Sequence, residues 1–228
     1  MEKYFLDLDK KIKESYDFAN KARKKGIDPE DEVDIPLASG IGKRVEGLIS
    51  VEVKQVLNSG IAERIKELEI EYGVLDWRIA LKIAEEVANE KFCSFKDEKE
   101  AMETAIRVGF AYLTLGVVSA PLEGFIELKI KNRRDGKKYL AVCYAGPVRG
   151  AGGTAAAFSV ILADHVRKLK GYDIYDPDEN EIKRYITELN DYHDRVTNLQ
   201  YRPSEKEIEF LMKHIPIEIS GDPTEKIE

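Results

Sequence analysis

The residues that could do chemistry gather in one stretch. A β-branched and aromatic run, Tyr139-Leu140-Ala141-Val142-Cys143-Tyr144, leads into Ala145-Gly146-Pro147-Val148-Arg149-Gly150-Ala151-Gly152-Gly153-Thr154 and then into an apolar run from Ala155 to Leu169. The pattern predicts a strand, a glycine-rich loop and a buried helix. Glycines at such a junction let the backbone come close to another molecule, and the first free N–H groups of the helix point at whatever lies there. Those donors and the helix dipole favour negative charge, so the chemistry on offer is anion binding, with Arg149 inside the loop. A second reading is equally open from the residues alone: Gly146 and Gly150 to Gly153 serve only a tight turn and close helix packing.

Other chemistries find less support. His165, His193 and His214 stand far apart with no partner at helical ligand spacing, and Cys93 and Cys143 form neither a metal-ligand spacing nor a disulfide framework. No Asp-x-Asp pair sits at a strand end, no nucleophile elbow is present, and the loop lacks the Gly-Lys-Ser/Thr end of a P-loop. Gly150-Ala151-Gly152-Gly153-Thr154-Ala155 does fit the dinucleotide fingerprint Gly-x-Gly-x-x-Ala. That fingerprint needs a second parallel strand ending in an acid roughly 20 residues on. Gly171 to Asp176 offers at most three strand-like residues, which disfavours a nicotinamide or flavin site. A small-molecule anion such as a nucleotide in the loop stays an alternative.

The elements that must position this stretch are mostly helices. Phe5, Leu8, Ile12, Tyr16 and Ala19 form one apolar stripe on a charged helix ending near Lys25, a candidate assembly arm over residues 1–27. An acidic, linker-like stretch covers 28–45, and an α+β domain covers 46–228. Within that domain Ile61, Ile65 and Leu68 mark one helix, and Trp77, Ala80, Leu81, Ala84, Val87 and Ala88 another, with Trp77 read as a core anchor in preference to a stacking platform because it lies within that apolar stripe. Asp97 and Glu100 cap a third, which buries Met102, Ala105, Ile106, Gly109, Tyr112 and Leu113. Ile126, Leu128 and Ile130 alternate with charged residues, Asp135-Gly136 signals a turn, and Tyr139 to Tyr144 returns as an antiparallel strand. The hairpin tip collects Lys129, Lys131, Arg133, Arg134, Lys137 and Lys138 against the single acid Asp135. Asp176-Pro177-Asp178-Glu179 and Pro203-Ser204-Glu205-Lys206-Glu207 open two further helices, with Asp176 and Ser204 as caps. Ile215 to Ile219 is extended. The expected fold is α+β, mainly helical, with a small antiparallel β-hairpin or sheet and a central helix following the Gly-rich loop.

The net charge of −7 excludes a globally basic nucleic-acid binder without excluding a local patch. No signal peptide, membrane-spanning stretch or lipidation motif is evident, and the two distant cysteines suit a reducing interior, so a cytoplasmic protein is expected. The chain stops just past a turn at Gly221 to Thr224, as a fragment of a longer polypeptide would.

The loop motif Ala145 to Ala157, together with Leu199-Gln200-Tyr201-Arg202-Pro203-Ser204 and Gly221-Asp222-Pro223-Thr224-Glu225, resembles the N-terminal region of the large subunit of the archaeal D-family DNA polymerase. The resemblance also takes in the front helix, Val33 to Leu37, Arg44-Val45-Glu46-Gly47-Leu48 and Gly116-Val117-Val118-Ser119-Ala120-Pro121, and so covers nearly the whole chain. Gly150 departs from it, since that family more often has serine there. The resemblance implies a replicative DNA-directed DNA polymerase of two subunits, the small one carrying the proofreading 3′-5′ exonuclease. It places the polymerase aspartates in double-psi β-barrels downstream, with Mg2+, and Zn2+ as a further candidate, in those other parts of the subunit. This chain would hold no catalytic residue, metal or cofactor. Its implied partners are DNA, the small subunit, the remaining large-subunit domains and, through the N-terminal helix, a second copy; no membrane is involved. Arg149 with the amides of Gly150, Gly152, Gly153 and Thr154 would meet DNA phosphates, and Arg133, Arg134, Lys137 and Lys138 would add sequence-independent attraction. A purely structural assembly module is the competing expectation.

Overall fold

The computed structural model describes residues 2–27, 38–196 and 201–221. The chain divides into two compact units, residues 1–37 and residues 38–228. The first is helix α1 (Glu2–Arg23), whose outer face carries i,i+4 ion pairs such as Lys11 to Asp7 and Lys13 to Asp9, each at 3.0 Å. Ile12, Tyr16 and Ala19 are half-buried, and Tyr4, Leu6 and Phe18 are exposed. The acidic stretch from Asp28, and the segments 33–37, 199–200 and 222–225 that carry part of the resemblance, lie outside the described residues.

In the second unit, α2 (Ile41–Ser50), α3 (Ile61–Tyr72), α4 (Trp77–Ala88), α5 (Glu98–Leu113) and α6 (Gly153–Lys170) enclose the main core. Helix α5 is central: it packs on α2, α4 and α6, and buries Met102, Ala105, Ile106, Phe110 and Tyr112. Gly109 makes the closest of these approaches, because a Cβ there would meet the Ala80 carbonyl at 2.9 Å and Leu162 at 2.7 Å. Strands β1 (Phe125–Asn132) and β2 (Lys138–Tyr144) form the antiparallel hairpin, with Leu128 opposite Val142 and Ile130 opposite Leu140. Helices α7 (Glu179–Arg195) and α8 (Glu205–His214) pair over a smaller core of Tyr139, Tyr175, Ile182, Ile208 and Met212.

The structure departs from several local expectations. The sheet is mixed, because β3 (Glu218–Gly221) joins β2 in parallel register, Ala141 opposite Glu218 and Tyr144 opposite Gly221. Trp77 is not a core anchor: it is 53% exposed at the first turn of α4, while Ile79, Ala80, Ile83, Ala84 and Val87 carry that helix's buried face. Helix α7 is capped by Asp178, not Asp176, in a reciprocal box with Glu181, which leaves Pro177 outside the helix. A bulge between Phe125 and Glu127 shifts the phase of β1, so Phe125 and Leu128 are buried and Ile130 is exposed near the tip. Helix α2 begins at Ile41, inside the stretch whose composition reads as linker-like.

Helix α3 opens on Gly60 without a side-chain cap of its own. Its cap comes from α2: the buried Glu46 carboxylate accepts from the amides of Asn58 at 2.8 Å and Ala62 at 3.0 Å, with Lys43 Nζ at 3.4 Å. Gly42 permits the approach, since a Cβ there would sit 2.5 Å from the Ala62 carbonyl oxygen. Removing the carboxylate leaves two amides without their acceptor, and that of Ala62 is buried. Glu46→Ala is therefore expected to cost about 2–4 kcal/mol, read from the midpoint and slope of urea unfolding, and a loss under about 0.5 kcal/mol would show that water replaces the carboxylate.

Candidate functional site

Strand β2 delivers the chain to the glycine-rich loop. Gly146–Ala151 form a short 3-10 stretch, and α6 follows with Gly152 in the cap position at φ +80°, a left-handed conformation that favours glycine. No side chain caps α6, and its first helical hydrogen bond runs from Ala156 N–H to the Gly152 carbonyl at 3.0 Å. The amides of Gly153, Thr154 and Ala155 precede that bond and face outward from the helix end. A Cβ added at Gly146, Gly150, Gly152 or Gly153 would meet nothing within 4 Å. Close packing inside this chain thus accounts for Gly42, Gly109 and Gly124 but for none of the loop glycines. The backbone of Arg149 lies in the 3-10 stretch; its side chain lies outside the described residues.

The loop is held from below by one buried cation. Arg107 of α5 donates through Nη1 to the carbonyls of Pro121 at 2.7 Å, Leu122 at 3.1 Å and Phe125 at 2.7 Å, and through Nη2 to Ile126 at 2.7 Å. Its guanidinium also lies 5.0 Å from the centre of the Phe125 ring. Burial pulls this guanidinium below its ordinary pKa, with Glu52 and Glu103 acting against the shift. These bonds shape the one-turn π-helix Ala120–Gly124 into a floor on which the loop rests. A Cβ at Gly124 would stand 2.6 Å from the Val148 amide nitrogen, and Ala145 N–H donates to the Gly124 carbonyl at 2.9 Å. On the other side the Tyr144 and Ser159 hydroxyls meet at 2.6 Å, tying the end of β2 to α6 across the loop. Neither Arg107 nor this hydroxyl pair was identified from sequence; a lone arginine among the apolar positions of α5 was the available signal.

The hairpin cations stand elsewhere. The tip and the loop lie at opposite ends of β2, about 20 Å apart at roughly 3.3 Å per residue. The segment after α6 supplies counter-charges. Arg133 donates to the Ile174 carbonyl at 2.7 Å and pairs with Asp135 at 3.3 Å, Arg134 reaches Asp176 at 3.3 Å, and Lys137 reaches Asp173 at 3.2 Å. Lys129 pairs with Glu127 at 3.1 Å, and Lys131 with the buried Glu218 at 2.7 Å. Lys138 is exposed. The structure therefore groups Arg133, Arg134 and Lys137 with aspartates, apart from Arg149 to Thr154. Around the loop the balance is reversed: no Asp or Glu occurs between Asp135 and Asp164, in a chain with 43 acids.

The dinucleotide pattern lacks its second half. The segment directly after α6 meets β2 by a single parallel bridge, Asp173 to Tyr139, at the end of β2 remote from the loop, and Asp173 is engaged by Lys137; the parallel strand β3 follows only after two further helices. The compact strand–helix–strand unit of that pattern is therefore not formed, and Asp173 stands away from the loop. Among the described residues no three His, Cys, Asp or Glu side chains come together as a metal site requires. His165 lies 4.0 Å from Glu85, and His214 stacks on Phe210 with ring centres 4.2 Å apart. No helix among the described residues is long and apolar enough to cross a membrane.

An open glycine-rich loop and an uncapped helix are thus seated on a helical α+β scaffold. The chain belongs to the family described as DNA polymerase II large subunit DP2, N-terminal, which matches residues 3–228. It is 52% identical to a DNA polymerase II large subunit of Nanoarchaeum equitans over 97% of this chain and 18% of that protein. It is 44% identical to the corresponding subunits of Pyrococcus horikoshii, over 100% of this chain and 15% of the relative, and of Methanothermobacter thermautotrophicus, over 99% and 20%. The chain thus spans a fifth or less of the length of these relatives.

Two outcomes follow from this geometry. Arg107→Lys keeps the charge but loses the planar fork, leaving buried carbonyls unpaired; a loss of about 3 kcal/mol in urea unfolding is expected, and a change under about 1 kcal/mol would show that one ammonium suffices. Burial also raises the phenol of Tyr144, along with those of Tyr112, Tyr172 and Tyr185, to about 12. The unfolded chain releases these protons near pH 10, so between about pH 10 and 12 it binds fewer protons than the native state, and stability falls as pH rises. Thermal melts across that interval should show the decline, shallower in Tyr144→Phe; identical slopes in the two proteins would exclude Tyr144 as a contributor.

Proposed function

We propose that this chain is a non-catalytic N-terminal domain of a replicative DNA polymerase large subunit, in which the loop grips the DNA backbone beside the catalytic core. The observation that carries this reading is the open space over Gly146, Gly150, Gly152 and Gly153, beside three uncapped amides in an acid-free stretch. Glycines that touch nothing in their own chain are suited to close approach by something else, and a phosphate fits donors with this polarity. Arg149 would add charge to that contact. Lys138 and Arg134 at the hairpin tip would reach a second phosphate further along a duplex, about 20 Å away. Nothing in this arrangement reads base edges, which suits an enzyme that must hold any sequence. In the assembled polymerase the chemistry would lie in later domains of the large subunit, where metal-bound carboxylates activate nucleotidyl transfer. A small subunit with 3′-5′ exonuclease activity would be the partner, in the cytoplasm.

A second reading, an assembly module, is favoured by the exposed Tyr4, Leu6 and Phe18 of α1. The two separate in a salt series with fluorescent primer-template DNA. Phosphate contact predicts affinity that falls as salt rises, with a log-log slope that Arg149→Ala lowers by about one. Alanine at Arg133, Arg134, Lys137 and Lys138 together should lower it by roughly one to two rather than four, because Arg133, Arg134 and Lys137 already serve Asp135, Asp176 and Asp173. Absence of binding at low salt by the folded chain would remove the DNA reading and leave assembly.

A further inference from the structure

Trp77 is the only tryptophan of the chain, and the scaffold does not bury it. It occupies the first position of α4, directly after the cap Asp76, and its ring centre lies 6.0 Å from that of Phe158 on α6, the planes inclined by 58°. The flanking charges are spent on each other: Arg78 bonds Asp76 at 2.7 Å and lies over the Tyr72 ring. Exposed Leu75 is its near neighbour in sequence.

Phe158 fixes the platform relative to the loop. Thr154, Phe158 and Ile161 share one face of α6, where side chains lean toward the helix N-terminus. Phe158 lies five residues beyond Gly153, about 7.5 Å along the axis at roughly 1.5 Å per residue. One lateral step of 6.0 Å then reaches the indole. An anion on the first-turn amides is thus separated from an open aromatic face by about the reach of one nucleotide. The intervening surface carries no carboxylate from the loop or the start of α6.

We infer that Trp77, braced by Phe158, is a stacking platform for an unpaired nucleotide base whose phosphate lies at the Gly152–Thr154 turn, so that this face takes single-stranded DNA. The inference rests on the phosphate reading above and adds the strand type. A duplex keeps its bases stacked inside and presents no free π-face, whereas every unpaired base has one, which makes the contact blind to sequence. Exposed Leu75 and Ile161 would border the stack and limit water at its rim.

The lone indole reports on its own occupancy. In the 228-residue chain at low salt, a short oligo(dT) should quench Trp77 emission as it binds, and the blunt duplex that it forms with oligo(dA) should bind without quenching. Trp77→Ala should weaken oligo(dT) binding about 5- to 100-fold and leave duplex binding unchanged, while Trp77→Phe retains most of the affinity. Circular dichroism should not change in either variant, and the melting midpoint should fall modestly in Trp77→Ala, which loses the Phe158 contact, and less in Trp77→Phe. Saturating oligo(dT) that leaves the emission unaltered, or Trp77→Ala that binds it as tightly as the parent, would overturn the platform while the phosphate site stands, and would assign the patch to protein docking. Failure of the parent chain to bind either DNA at low salt would overturn both readings together.

Discussion

The geometry of the candidate site depends on taking one guanidinium out of water. Arg107 satisfies four backbone carbonyls of one segment, two in the π-helical turn and two at the bulged start of β1, where the regular pairing is interrupted. The segment is then stiff enough to serve as a floor. Gly124 sits where the loop backbone presses down on it, so the position of Val148 follows from that of Arg107 through two contacts. An exposed loop of small residues has little to bury and would otherwise be free to move. Here its entry is fixed by Gly124 and the Tyr144–Ser159 pair, and its exit by α6, whose buried residues Leu162, Ala163 and Val166 lie in the main core. What remains open is the backbone between these anchors, which is the part available to a ligand.

The contrast among glycines separates support from function. Gly42, Gly109 and Gly124 each lie within 3 Å of a neighbour's backbone once a Cβ is added, and each marks a place where two elements meet too closely for a side chain. The loop glycines meet nothing. Open space alone would suit a flexible linker, but a linker would not be followed directly by an 18-residue helix locked into the core. Rigid anchors with bare backbone between them suit recognition through N–H groups, where a side chain would hold the ligand away.

Much of the fold was legible in the sequence because helices announce themselves through periodicity and caps. Asp97 with Glu100, Ser204 with Glu207, and the Asp135-Gly136 turn read directly onto the structure. The misses share a cause: they depend on partners distant in the chain. β3 joins β2 in parallel after three intervening helices, which no local pattern specifies, and Glu218 is drawn inward there to meet Lys131 and the Tyr139 hydroxyl. The same limit applied to the site. The loop and its glycines are legible in the sequence, yet the distance from them to the hairpin cations is not, because residues 138 and 145 are near in sequence although β2 separates them by its full length. Sequence also could not show that Asp173 and Asp176 return to meet the tip. Trp77 was misjudged because a helical stripe was extended by one residue past the point where α4 leaves the core.

The distribution of charge argues for two unequal contact points on this surface. At the tip, cations held by aspartates at 3.2–3.3 Å are exposed pairs of small individual strength, and an approaching phosphate must compete with carboxylates already in place. The loop itself has no carboxylate, although the floor beneath carries the exposed Glu123, which accepts from the Ser119 hydroxyl at 2.6 Å, and the donors are amides that water serves when no ligand is present. Contact at the loop would therefore meet no carboxylate of the loop's own, while the tip would contribute attraction that weakens as salt rises. A polyanion would engage the loop by geometry and the tip by charge, and the two would respond differently to ionic strength: amide contact falls slowly and lysine contact steeply. The acidic balance of the whole chain works in the same direction, since repulsion elsewhere on the surface would steer a negatively charged ligand toward the long acid-free stretch between Asp135 and Asp164.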